Sequence, residues 1–328
     1  MANIFAAKHF HDEDAARVWF ENARWDGKPV CPHCGSEKHY ATKKPGRYRC
    51  AVKECRKDFT VMTGTVMERS HAKLTQWAMA FWLGASSKKG FSAHQLHRAL
   101  GCQYNTAWFL HHRVMEAMRE GGLDLPPLSG PEGIVEADET YFGPVDEPSE
   151  TRVDGKPYNS NPRRRASKRK YAGPANKRAI VTLVERGGKV RSFHVPRADK
   201  ATVKKIVADN IAHEARLHTD ESGLYKGMDE VFTDHETVVH SRKEYVRKSK
   251  KGAKVHTNSA EGYFSIFKRG MRGVYQHCSE KHLHRYLAEF DFRYNHREAL
   301  GVDDEARCIA AIRAAEGKRL TYHQPREV

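Results

Sequence analysis

The chain has 328 residues, of which 39% are hydrophobic and 30% charged, and 57 Lys+Arg stand against 41 Asp+Glu for a net charge of +16. That length predicts more than one domain with its own core, and the basic excess points to a polyanionic partner such as nucleic acid. No apolar run approaches the roughly 20 residues of a membrane span, and the start Met1-Ala2-Asn3-Ile4-Phe5 lacks the pattern of a signal peptide. A cytoplasmic protein with no membrane partner is expected, and in that compartment seven cysteines argue against a disulfide framework.

Residues 1–66 read as a metal module with an N-terminal helix. Cys31, Cys34, Cys50 and Cys55 follow the spacing C-x2-C-x15-C-x4-C. Two tight turns each offer two thiolates, and the stretch between them folds back as a hairpin, which suits tetrahedral Zn²⁺. With all four positions filled by protein, the zinc is structural. His33 and His39 are alternative ligands that a plain Cys₄ set does not need. Cys102, Cys278 and Cys308 are isolated and read as small core residues.

Residues 67–125 turn helical. Leu74, Trp77, Phe81 and Trp82 form one apolar face, Ser92 caps a second helix running to Leu100, and a third runs from Tyr104 to Arg119. The last two helices, joined through Gly101, form either a helix-turn-helix or an ordinary packing unit. In the first reading Gln103, Asn105, Thr106 and Arg113 are available to DNA. His94, His97, His111 and His112 spread over several faces and read as solvated or core residues. Gly121 to Pro127 breaks the helix and marks a boundary.

Residues 131–300 read as an α/β domain with a mixed sheet of the ribonuclease-H type, leaving 301–328 as a C-terminal tail. Strands are expected at Ile134–Phe142, Ala179–Val184, Val190–Val195 and Ala215–Thr219, with a short one at Val238–His240. Helices are expected at Ala198–Ala212, Asn258–Arg269 and Glu280–Arg297. Neighbouring first and fourth strands bring Asp138 and Asp220 into one site, and the following helix delivers Glu261. Carboxylates gathered from distant points of a chain can hold two Mg²⁺ or Mn²⁺ ions for phosphodiester chemistry. Glu139 and Glu221 follow the two aspartates and face the other way along their strands. Glu136 and Asp234 are possible extra acids, and Asn258 is either an N-cap or a metal or phosphate contact. Lys268 lies two helical turns after Glu261 and is a candidate phosphate contact, with Arg269 as the neighbouring alternative. The insertion 144–177 holds nine Lys/Arg against four acidic residues, and Arg163, Arg164, Arg165, Lys168, Arg169 and Lys170 are candidate phosphate contacts. A second basic run, 242–251, precedes the Glu261 helix.

The blocks Val135-Glu136-Ala137-Asp138-Glu139-Thr140-Tyr141-Phe142-Gly143, Thr219-Asp220-Glu221 and His256-Thr257-Asn258-Ser259-Ala260-Glu261-Gly262-Tyr263, with Lys268-Arg269-Gly270 and Tyr286 to Asn295, resemble bacterial insertion-sequence transposases. The resembled group is ISXO-like, with an N-terminal zinc ribbon and a D-D-E catalytic domain, and the likeness runs from about residue 15 to 300. It implies an enzyme acting in the nucleoid that binds the terminal inverted repeats of an insertion sequence and cleaves phosphodiesters with two divalent metals. It then joins 3′-ends to target DNA, as a homodimer or larger assembly on double-stranded DNA. Asp138, Asp220 and Glu261 match the group's metal-binding acids. Two other readings stay open: a DNA-binding regulator or inactive transposase-derived protein, and a related nuclease without strand transfer.

Overall fold

In the computed structural model the described residues are 4–120, 125–145, 176–249 and 252–321. The basic residues expected to meet DNA between 163 and 170 lie outside them. The chain divides into two units, residues 1–120 with 296–328, and residues 121–295.

The first unit opens with helix α1 (Glu13–Trp25), whose N-cap Asp12 accepts from the Ala15 amide. A three-stranded antiparallel sheet follows, β1 (His39–Ala41), β2 (Tyr48–Cys50) and β3 (Asp58–Phe59), in sequence order. Its short strands have little core of their own. Tyr48 and Phe59 meet Trp25 of α1 edge to face, with ring centroids 6.3 and 6.0 Å away. Helices α2 (Leu74–Ser86), α3 (Ala93–Leu100) and α4 (Tyr104–Met118) come next. Ser92 caps α3 as expected, and Gly101 ends it at φ +59°, a left-handed conformation that glycine adopts without strain. On α2, Trp77, Ala78, Phe81 and Ala85 are all fully buried. Gly84 lets α4 come close, since a Cβ there would lie 2.9 Å from Val114.

The second unit is built on a five-stranded mixed sheet. Its strands are β4 (Ile134–Pro144), β5 (Lys177–Glu185), β6 (Val190–Val195), β7 (Arg216–Asp220) and β8 (His235–Val238), in the order β6-β5-β4-β7-β8. β4, β5 and β6 pair antiparallel, whereas β7 lies parallel to β4 and β8 parallel to β7. The antiparallel pairs need only the Arg186–Lys189 turn or the insertion. The parallel pairing needs a crossover, which helix α5 (Lys200–Asn210) supplies. Val135, Ala137, Val181, Leu183 and Leu217 pack with Val203 and Val207 of α5 on one face of the sheet. The strand period of two sends Glu136, Asp138 and Thr140 to the other face. There lie a short hairpin, β9 (Arg247–Lys248) with β10 (Lys254–Val255), and the helices α6 (Asn258–Gly270) and α7 (Leu283–Asn295).

Several expectations shift. The short strand is displaced to 235–238, and the basic run carries one arm of a hairpin. The Glu280–Arg297 helix resolves into a 3₁₀ turn and α7, which ends at Asn295. Within α7, Arg293 is buried and donates to Glu289. The tail expected from 301 carries a further helix, α8 (Asp304–Arg313), which belongs to the first unit. Cys308, Ala311 and Ile312 of α8 are fully buried, and Arg307 donates to the Ala85 carbonyl at 3.1 Å. The two N-terminal segments expected as separate domains therefore share one unit with the C-terminal segment. Apolar surface on α2 explains this, because it needs more cover than its sequence neighbours provide.

Candidate functional site

The four cysteines converge. Cys31 and Cys55 Sγ lie 3.8 Å apart, Cys34 and Cys50 Sγ 3.5 Å apart, and all four sulfurs lie within 4.8 Å of one another. A tetrahedron with Zn–S near 2.3 Å has edges of roughly 3.8 Å, so the set fits one zinc ion. Backbone amides reach every sulfur: His33 and Cys34 to Cys31, Ser36 to Cys34, Val52 to Cys50 and Lys57 to Cys55. Such donors favour the thiolate that zinc requires.

In the second unit Asp138 sits midway along β4 and Asp220 ends the adjacent parallel strand β7. Glu261 lies in the first turn of α6. Burial raises the Asp138 carboxyl to about 8, and the charges of Glu139, Asp220 and Glu261 push in the same direction. Asp138 thus has Glu139, Asp220 and Glu261 as electrostatic neighbours. Burial likewise raises Asp220, against the opposing pull of the Ser222 amide, which donates to its Oδ1 at 3.0 Å. Glu261 is half exposed, with Oε1 3.8 Å from His240 Nε2. Among the described residues the cysteines are the set of three or more side chains whose ligand atoms converge within 4.8 Å, and the carboxylates are not gathered so closely. Their chemistry nonetheless suits a hard divalent cation, because neighbouring ionised carboxylates destabilise one another and a cation relieves that.

The neighbouring acids sort by face. Glu139 points away from Asp138 and accepts from Tyr225 Oη at 2.9 Å and Ser222 Oγ at 3.4 Å. Glu221 accepts from the amide and hydroxyl of Ser241, and Asp234 pairs with Arg216 at 3.5 Å. Glu136, weighed as an extra site acid, is fully buried and receives the first amides of α6 instead. Asn258 is the first residue of α6, and Thr257 occupies the N-cap position with no side-chain cap bond, which corrects the capping role expected of Asn258.

Of the two basic candidates on α6, Lys268 is the one on the Asp138 side. Burial lowers its ammonium, Arg272 and Lys177 push it further down, and Asp138 pulls it up. Arg269 is exposed and donates back to the Ser265 carbonyl. In the first unit Asn105 is exposed at the start of α4, as a DNA contact requires. Arg113 is 6% exposed, lies over the Phe109 ring at 4.0 Å and donates to the Glu68 carbonyl, so the structure assigns it to packing and not to a duplex. The polar layer beneath the carboxylates, Glu136, Arg186, His218 and His256, was not singled out from sequence as a unit. Its members come from four separate segments, and their one local signal is a charged residue on a strand's buried face.

A family model of the ISXO2-like transposase domain matches residues 127–295, and one of the transposase zinc-ribbon domain matches residues 11–58. An "Uncharacterized protein in transposable element ISH50" from Halobacterium salinarum is 30% identical over 295 residues, spanning 87% of this chain and 92% of that protein. No described helix is long and apolar enough to cross a membrane. With the cysteine cluster, the strand-borne acids and these matches together, the chain belongs to the ISXO2-like transposase family.

Proposed function

We propose that the chain is a metal-dependent DNA transposase that binds the terminal inverted repeats of its element, cleaves phosphodiester bonds there and joins the 3′-ends to target DNA. Asp138, Asp220 and Glu261 would hold two Mg²⁺ or Mn²⁺ ions. Bound divalent ions supply activation of the attacking oxygen and neutralisation of the leaving oxygen. The observation that carries this reading is the placement of Asp138 and Asp220 on adjacent parallel strands, with Glu261 in the first turn of a helix whose amides bond to Glu136 of the Asp138 strand. A β6-β5-β4-β7-β8 sheet with three antiparallel and then parallel strands supports a ribonuclease-H-like fold.

The chain's own residues divide the remaining tasks. Lys268, placed near Asp138, would contact a phosphate beside the reacting bond. Asn105 at the exposed start of α4, with Arg269 and the basic residues Arg163, Arg164, Arg165, Lys168, Arg169 and Lys170, would bind the DNA backbone and element ends. The zinc module would present a rigid surface to the ends. Two ends must be held together for transposition, so a homodimer on DNA is the expected assembly.

A cleavage and joining assay on labelled terminal-repeat DNA, with Mg²⁺ or Mn²⁺, tests the proposal. Metal-dependent nicks and joined product from the wild type, absent from Glu261→Gln, are expected. Binding without cleavage by either protein would favour a regulator or an inactive copy, and nicking without joining would favour a nuclease.

A further inference from the structure

At the start of helix α6 the side chain of Thr257 accepts nothing from the first turn, and the local acceptor is His256 Nδ1, 3.3 Å from the Asn258 amide. Four free amides at a helix N-terminus need partners, and a buried start needs them from elsewhere in the fold. Glu136, on β4 two residues before Asp138, provides them. Its Oε2 accepts from the Ser259 amide at 2.7 Å and the Ala260 amide at 3.2 Å, and its Oε1 from Ser259 Oγ at 3.0 Å. Arg186 holds the same carboxylate, with Nη2 at 2.7 Å and Nε at 3.0 Å from Oε1. Its guanidinium also donates to the carbonyls of Lys254 at 2.7 Å and His256 at 3.2 Å. His256 Nδ1 completes the group, 3.1 Å from Glu136 Oε1.

We infer that Glu136, clamped by Arg186, is a positioning residue that fixes the depth and rotation of α6 against β4 and so holds Glu261 in place relative to Asp138. The inference rests on the proposed role of Glu261. Glu136 and Asp138 share one strand face, while Ser259 and Glu261 lie two residues apart in the first turn of α6. One buried carboxylate therefore bridges the two elements two residues from each of the two acids. Charge-assisted bonds of this kind are short and directional, so they specify one placement of the helix where apolar packing alone tolerates several. A negative group at the helix N-terminus also interacts favourably with the positive end of the macrodipole, which adds to the preference for a carboxylate there.

The test uses the full-length, zinc-loaded protein. Amide hydrogen exchange across residues 257–264 and Mn²⁺ binding followed by electron paramagnetic resonance are measured for wild type, Glu136→Ala, Glu136→Gln, Glu261→Gln and the core control Val203→Ala. Glu136→Ala is expected to speed exchange at Ser259 and Ala260 at least tenfold and to weaken Mn²⁺ binding at least fivefold. Glu136→Gln, which keeps an acceptor oxygen, is expected to recover part of both, and Val203→Ala to leave Mn²⁺ binding unchanged. If Glu136→Ala fails to fold, Glu136→Gln carries the test, with at least threefold faster exchange at those two amides expected and wild-type exchange overturning the inference. Unaltered Mn²⁺ binding in Glu136→Ala, alongside weakened binding in Glu261→Gln, overturns the positioning role and leaves the site reading intact. Unaltered Mn²⁺ binding in Glu261→Gln overturns the site reading itself, and the positioning role with it.

Discussion

Individual carboxylates in this protein owe their behaviour to the face on which they emerge. Asp138 and Glu139 are sequence neighbours, yet Glu139 is held by Tyr225 and Ser222 while Asp138 faces the side occupied by α6. Under the proposed mechanism Asp138→Asn, Asp220→Asn or Glu261→Gln lowers strand cleavage by on the order of 10²–10³-fold or more. Binding of terminal-repeat DNA, followed by gel shift, stays within about twofold of wild type, because no positive charge is removed. Wild-type cleavage by any one variant excludes that residue from the site. Arg113 belongs to the opposite category, a cation that looks available in sequence and is buried in the fold. Arg113→Ala removes its bond to Glu68 and its packing on Phe109, and is expected to cost about 1–3 kcal/mol of stability in chemical denaturation. DNA affinity of the folded fraction is expected to be unchanged, and a selective loss of affinity would return Arg113 to the DNA surface.

At the scale of elements, the zinc module is the clearest case of structure held by a ligand set. Strands β1, β2 and β3 are three, three and two residues long. Elements so short are not stable alone, and the metal does the work of a core. Cys31→Ser is expected to remove zinc, measured by metal analysis, and to unfold the segment around residues 31–59, measured by loss of amide protection there. Retention of both protection and end binding after verified zinc loss would sink the structural assignment. Helix α6 shows a second way of stabilising an element, since the partner of its first amides is 123 residues away on Glu136. Support from so distant a carboxylate has no local signature, which is why Asn258 looked like its cap.

Charge is a property of the whole molecule. A chain of net charge +16 that contacts about six phosphates should lose roughly 10³-fold in DNA affinity between 50 and 200 mM salt, through counterion release. A flat salt response, measured by fluorescence anisotropy, would contradict backbone contact by the basic segments. Connectivity is another whole-molecule property. The C-terminal helix α8 returns to the unit that contains the N-terminus, and Arg313 donates to the Ala23 carbonyl of α1 at 2.7 Å. Ending the chain at Gly301 removes buried Cys308, Ala311 and Ile312, and is expected to cost the first unit about 4 kcal/mol or more in a denaturation experiment. An unaltered transition would mean that α8 contributes no stability to that unit.

Local chemistry determined much of this protein from sequence. The cysteine spacing, the apolar periods of β4, β6 and α4, the Ser92 cap and the acids at Asp138 and Asp220 are all carried by residues close together in the chain, where propensity and period act directly. The adjacency of β4 and β7 was also legible, because the order of elements suggested a sheet of the ribonuclease-H type, whose first and fourth strands are neighbours. Tertiary structure alone decided which charged residues are buried, as with Arg113, Arg293 and Glu136. It also decided that residues 304–313 cover the N-terminal unit and that Glu136 supports the helix of Glu261. These outcomes depend on desolvation and hydrogen-bond partners contributed by distant segments. A polar residue's role follows from which partner reaches it, and that is set only once the elements have packed.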